Sequence, residues 1–191
     1  DDLAELRQAC DDAVAVLVAC GPDRVVVVGT GDLAGDRDEA AGGTLARFGV
    51  DVRAGGPNDE LPLSLTIGAW LLDRAGWTGP RTYSTGEPDT TGKVALLVMA
   101  DGSAKRTTSS PGFLDERAEE FDGAIASALA RGDAATLADL DLALGAELWA
   151  AGAPALQTLG RMTKDADITP QVRYDAAPFG VGYWVADWVL S

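Results

Sequence analysis

The sequence predicts an α/β fold, a single domain with a mixed central sheet flanked by helices, and three observations carry that prediction. Residues 24–29 (RVVVVG) and 94–100 (VALLVMA) are continuous apolar runs of strand length, as expected of strands covered on both faces. Around them lie stretches whose apolar residues recur at helical spacing. At 191 residues, 47% of them hydrophobic and 24% charged, the chain has one domain's length and enough apolar material for a core.

Taken in order, residues 2–20 place Leu3, Leu6, Cys10, Val14, Leu17 and Val18 at helical intervals, and Gly21-Pro22-Asp23 ends that helix. The strand at 24–29 follows, and helix then buried strand is the grammar of an α/β fold. The Gly- and Asp-rich residues 30–43 read as a loop, and 48–54 (FGVDVRA) as a second, partly exposed strand. Residues 61–77 predict a helix with Pro62 in its first turn, closed by Gly76 and Gly79-Pro80. A short strand is expected at 81–85, a polar turn at 86–92, then the apolar strand at 94–100. After a loop through Pro111, helices are expected over 113–131, 134–150 and 153–164, with Asp133 as the N-cap of the second. The chain closes on a strand at 172–174, the segment 177–184 (APFGVGYW) and a strand at 185–190.

Charge narrows the partners. Thirty acidic residues against 15 basic ones leave −15, a field that repels phosphate backbones and anionic membrane faces. No nucleic acid and no membrane is expected, and a small molecule or a protein partner remains. No apolar run reaches the about 18 residues a membrane helix needs, and no signal-type core precedes the first helix. A cytoplasmic location is expected. Cys10 and Cys20 stand ten residues apart on one helix, too far to bridge, so buried free thiols are expected. The chain opens on Asp1-Asp2 rather than Met, and its natural start is expected to be missing or processed.

In open α/β sheets, ligands bind beyond the carboxyl ends of the strands. Gly29-Thr30-Gly31-Asp32 lies there, but G-x-G without a third glycine or a following helix reads as a plain glycine loop. Asp101-Gly102-Ser103-Ala104-Lys105-Arg106 is richer. Its acid, hydroxyl and two cations could hold an anionic or hydroxylated ligand; alternatively Asp101 caps the loop and pairs with Lys105 or Arg106. The chain contains no histidine, which excludes a Ser-His-Asp triad and leaves Ser103 only Lys105 or a carboxylate as a base. Zinc and non-haem iron sites are usually built with imidazole. The acidic groups Asp32-Asp36-Asp38 and Asp139-Asp141 lack the calcium-loop spacing and read as solvated faces. No catalytic residue and no metal ligand is assigned. In the segment 177–184, glycines alternating with apolar residues predict a bulge or tight bend, packed into the core and able to floor a pocket. The candidate ligand-binding set is Asp32, Asp101, Ser103, Lys105, Arg106, Tyr174, Phe179 and Tyr183.

Residues 95–104 (ALLVMADGSA), then Arg106-Thr107 and 111–118 (PGFLDERA), resemble actinobacterial proteins of the class III extradiol ring-cleavage dioxygenase-like family. The ending 174–183 (YDAAPFGVGY) matches the same group, as do 49–52 (GVDV), 61–65 (LPLSL) and 68–72 (GAWLL). The resemblance covers most of the chain and implies one α/β domain around a mixed sheet. Active members hold ferrous iron with two His and one Glu and open catechol-type rings with O₂; Memo-like proteins share the fold in other roles. The family's first iron histidine belongs to a segment before residue 1. Its second falls where Gly29-Thr30-Gly31-Asp32 stands, and its acid/base histidine where Ala104 follows Ser103. Residues 84–93 are also short, as though a helix were missing. A positioned proton-transfer group contributes about 10²–10⁴-fold, so ring opening by the usual route should be crippled. The expectation is a domain lacking its N-terminal strand, non-catalytic or repurposed, that binds a small ligand or partner at the strand-end pocket. The alternative is an Fe²⁺-dependent dioxygenase or oxidoreductase acting on an aromatic diol, with ligands outside this segment; only then is iron a cofactor. Five tryptophans suggest a homo-oligomer face.

Overall fold

The computed structural model describes residues 3–191. They form two compact units, one of Val14–Met99 and one of Asp1–Ala13 with Ala100–Ser191. Helix α1 (Ala4–Ala19) contributes residues to both.

In the Val14–Met99 unit, β1 (Arg24–Val28) is the central strand of a three-stranded parallel sheet. Strand β5 (Arg81–Ser84) lies on one side and β6 (Val94–Val98) on the other, so that Val27 stands opposite both Tyr83 and Leu97. Val25 to Val28 are buried; stiff β-branched side chains suit such a strand, and full burial of each stabilises by about 1.5–3 kcal/mol. Helix α2 (Leu63–Arg74) buries Leu65, Ala69 and Leu72. It starts after Pro62, which is the extended N-cap rather than a first-turn residue. The Ser64 hydroxyl donates to Thr30 O at 2.6 Å and accepts from Thr30 N at 2.9 Å, which fastens the Gly29–Gly31 loop to the helix start.

Two strand predictions need correction here. The expected loop at 30–43 ends in β2 (Ala41–Thr44), which pairs antiparallel with β3 (Arg53–Gly55) and parallel with β4 (Asn58–Asp59). The expected strand at 48–54 is instead a 3₁₀ turn at Ala46–Phe48 followed by β3. The reason is close backbone approach. A Cβ on Gly42 would fall 2.0 Å from Gly56 O, and one on Gly43 2.1 Å from Thr66 Oγ1. Only glycine fits that strand, and glycine carries no strand signal.

In the other unit, α3 (Arg117–Arg131), α4 (Ala134–Ala138), α5 (Leu142–Glu147) and α6 (Ala153–Thr163) surround a core of Phe121, Ile125, Leu129, Leu137, Leu148 and Leu156. Helix α3 starts four residues later than expected, after turns at 107–113 that leave Phe113 with a positive φ. The helix expected at 134–150 is broken: Asp139 ends α4, and the Asp141 carboxylate accepts from Leu144 N at 3.0 Å to start α5. Strands β7 (Ile168–Ala176) and β8 (Tyr183–Leu190) form an antiparallel hairpin, bulged between Val172 and Tyr174 and longer than predicted. Trp184 and Trp188 pack on the core, and Trp188 Nε1 donates to Leu129 O at 2.9 Å.

The class is α/β, with helices flanking mixed sheets, but the expected single central sheet is replaced by a parallel, a mixed and an antiparallel one. The strands flanking Gly42 pair with each other and leave β1, β5 and β6 as a separate ladder. No helix among the described residues is long and apolar enough to cross a membrane. Cys10 is half-buried, its thiol pushed up by burial and then by Asp11, whereas Cys20, just past the end of α1, is exposed rather than buried.

Candidate functional site

Two of the stretches singled out by sequence meet in the second unit. Gly102 N donates to Gly182 O at 2.8 Å, Gly182 N to Ser103 O at 2.9 Å and Arg106 N to Gly180 O at 3.1 Å, lacing residues 102–106 to 180–182. The predicted bend is a tight turn at Pro178–Gly180, with Phe179 and Gly180 at φ 57° and 75°. Phe179 is 63% exposed rather than packed into the core, because the left-handed turn carries its ring outward.

The centre of the cluster is a residue the sequence reading did not single out. Asp122, on α3, is 1% exposed and Ser103 is 0% exposed. One Asp122 oxygen accepts from Ser103 N at 2.9 Å; the other accepts from Ser103 Oγ at 2.7 Å and from Arg106 Nη1 at 3.2 Å. A Cβ on Gly182 would lie 2.6 Å from that second oxygen, and one on Gly102 2.5 Å from the Trp184 ring. Those two glycines let the strand ends close over the carboxylate. A signal for Asp122 was present: Ala118, Asp122, Ile125 and Leu129 stand at i, i+4, i+7 and i+11 on the buried face of α3.

Asp101 pairs with neither Lys105 nor Arg106. Its carboxylate accepts from Gly152 N at 2.8 Å, and Arg106 turns to Asp122 and, at 3.8 Å, to Glu119. Burial pushes the Asp101 carboxyl above its ordinary value, opposed by the Gly152 amide and assisted by the Asp122 charge. Burial likewise raises Tyr183, and the Asp101 charge adds to it. Lys105 Nζ sits 5.6 Å from the centroid of the Trp149 ring, a cation–π distance.

The remaining candidates stand elsewhere. Asp32 is exposed in the Val14–Met99 unit. Tyr174, on β7, lines a cleft of about 410 Å³ with Glu5, Gln8, Asp12, Gln171 and Arg173. A cleft of about 330 Å³ in the Val14–Met99 unit, which sequence did not indicate, is walled by Glu39, Gly55, Gly56, Asp73 and Arg81. Neither is lined by Asp101, Ser103 or Arg106.

No family model and no curated protein matches this chain.

Chemically, the Asp122 cluster is closed. Ser103 donates to a carboxylate, which can activate a hydroxyl, but its full burial keeps it from any substrate. Ferrous iron of the dioxygenase type asks for two imidazoles and a carboxylate with free lone pairs. Here there is no imidazole, the Asp122 oxygens hold three donors, and Asp101 holds an amide. Among the described residues no three His, Cys, Asp or Glu side chains are grouped to hold a metal. These residues do not fit that iron.

Proposed function

We propose that this chain is a class III extradiol dioxygenase-like protein without iron-dependent ring-opening activity of its own. It binds a small ligand or a protein partner on the loop that follows β6. One observation carries the reading: the polar groups at the motif positions are spent on one another. Ser103 and Arg106 are held by Asp122, Asp101 by Gly152, and Ala104 stands where the family places its acid/base histidine. A polar cluster saturated in this way holds a loop in one shape, which is what a binding surface needs and what a reacting site cannot use.

The test is direct. The full chain, loaded anaerobically with Fe²⁺ and mixed with catechol and O₂, is expected to consume no oxygen above the free-iron blank. Stoichiometric iron with oxygen uptake and a ring-opened absorbance product would overturn the proposal. A thermal-shift screen supplies the positive arm, since a ligand at 100 times its Kd stabilises the native state by about 2.7 kcal/mol.

A further inference from the structure

Among the described residues, three that are not glycine hold a left-handed backbone: Phe113 (φ 59°), Trp149 (φ 60°) and Phe179 (φ 57°). All three are aromatic, and they are 73%, 55% and 63% exposed. A side chain in this region costs roughly 1–2 kcal/mol, and an exposed aromatic forgoes its large burial gain. Neither the cost nor the exposure is explained by packing of the fold.

The three belong to the surroundings of one loop. Phe113 N donates to Ser110 O at 3.0 Å. Ser110 Oγ donates at 3.0 Å to the carbonyl of Gly180, next to Phe179. Ala104 N donates at 3.1 Å to the carbonyl of Leu148, next to Trp149, whose ring faces Lys105. Leu114, 52% exposed, adds to the apolar area. Exposed apolar groups gathered this way and rimmed by charge mark interaction surfaces.

The rim states the sign of the partner. Residues 101–122 with Glu147 carry seven carboxylates against Lys105, Arg106 and Arg117. Two of those cations are already paired, Arg106 with Asp122 and Glu119, Arg117 with Asp115 and Glu147. Glu116, Glu119 and Glu120 are exposed. A second copy would set the same acidic rim against itself. A basic partner is attracted by the rim and by the −15 of the whole chain, and its arginines can stack on the rings. We infer that Phe113, Trp149 and Phe179 form a docking surface for a protein segment that alternates basic and apolar side chains. The inference rests on the reading of this chain as a binding module and names its partner class.

The test uses the full chain and three short synthetic peptides that alternate Arg with Leu, Arg with Ser, or Glu with Leu, titrated by calorimetry. The Arg/Leu peptide is expected to bind roughly tenfold or more tighter than either control, about 1.4 kcal/mol. In the Phe113→Asn/Trp149→Asn variant that advantage should disappear while the melting temperature holds or rises, since Asn tolerates the left-handed region. The Glu116→Gln/Glu119→Gln/Glu120→Gln variant should keep its fold and weaken Arg/Leu binding. Equal binding of the three peptides, undiminished binding by the aromatic variant, or a lower melting temperature for it would overturn the inference. So would a dimer in sedimentation that dissolves in that variant, which would assign the surface to a second copy. Iron-dependent oxygen uptake would instead sink the underlying reading, so the two failures are separable.

Discussion

Replacing Asp122 by alanine is the most informative single perturbation of this molecule. The carboxylate is 1% exposed and serves three donors, the Ser103 amide at 2.9 Å, the Ser103 hydroxyl at 2.7 Å and the Arg106 guanidinium at 3.2 Å. Each buried donor left without a partner costs about 1–3 kcal/mol, and breaking a buried charge pair from one side costs about 3–5 kcal/mol. The Arg106 side chain is 25% exposed and regains some water, which holds the expected loss to about 3–5 kcal/mol. In a chain of this size that lowers Tm by about 6–20 °C, at roughly 2–4 °C per kcal/mol. Urea unfolding followed by tryptophan fluorescence measures it, because the Trp184 ring lies against Gly102 beside the cluster. Asp122→Asn keeps the volume and one acceptor, so its loss should be smaller, about 1–3 kcal/mol. A loss below about 1 kcal/mol for Asp122→Ala, or an Asn variant worse than the Ala variant, would refute the claim that this carboxylate organises the loop.

Four further outcomes are expected. Asp101 has a raised carboxyl pKa, so the folded chain holds its proton more tightly than the unfolded one. Its contribution is therefore unfavourable above that pKa and fades as the pH falls below the ordinary 3.8. Asp101→Asn should accordingly match or exceed wild-type stability at pH 7 and lose that edge towards pH 4 in parallel denaturant titrations; a markedly weaker variant at pH 7 would contradict this. The Asp115 carboxyl is depressed to about 2 by hydrogen bonds from Arg117, so the pair persists above 3.8 and is lost as the pH falls through 2; an NMR titration of Asp115 with its midpoint near 4 would rule that out. Asp141→Ala removes the cap of α5 and should cost about 0.5–2 kcal/mol, read from the urea midpoint. Gly42→Ala drives a methyl to within 2.0 Å of Gly56 O and should cost about 1–3 kcal/mol or more, with loss of amide protection in β2 and β3.

Strong one-dimensional signals translated well into structure. The valine run of β1, the apolar run of β6 and the helical spacing of α1 and α2 mark their elements to within a few residues, because burial dictates those patterns. Strand β2 was illegible because its positions are chosen by what a Cβ would strike, a three-dimensional property. The break between α4 and α5 was hidden because aspartate suits a helix face, a cap or a turn, and only the Leu144 amide distinguishes Asp141 as a cap. At the candidate site, the Asp101–Arg106 and Ala177–Tyr183 stretches could be picked out as unusual, and their meeting follows from backbone hydrogen bonds that leave no mark on side chains. Asp122 was passed over as one acid among several in EEFDG, although its place on the apolar stripe of α3 set it apart. The left-handed aromatics had no signal at all, since φ at Phe113, Trp149 and Phe179 is imposed by the turns around them.

The cleft beside Tyr174 draws Glu5, Gln8 and Asp12 from one end of the chain and Gln171 and Arg173 from the other. A ribosome releases the first of these long before the last, and at about 5–20 residues per second the early half of α1 waits roughly 10–40 s for its neighbours on β7. During that interval the valine-rich strand and its parallel partners can already assemble from the intervening residues. Chain growth alone therefore orders the assembly of the two units, and truncation at the far end should leave the beginning of the polypeptide without its lodging.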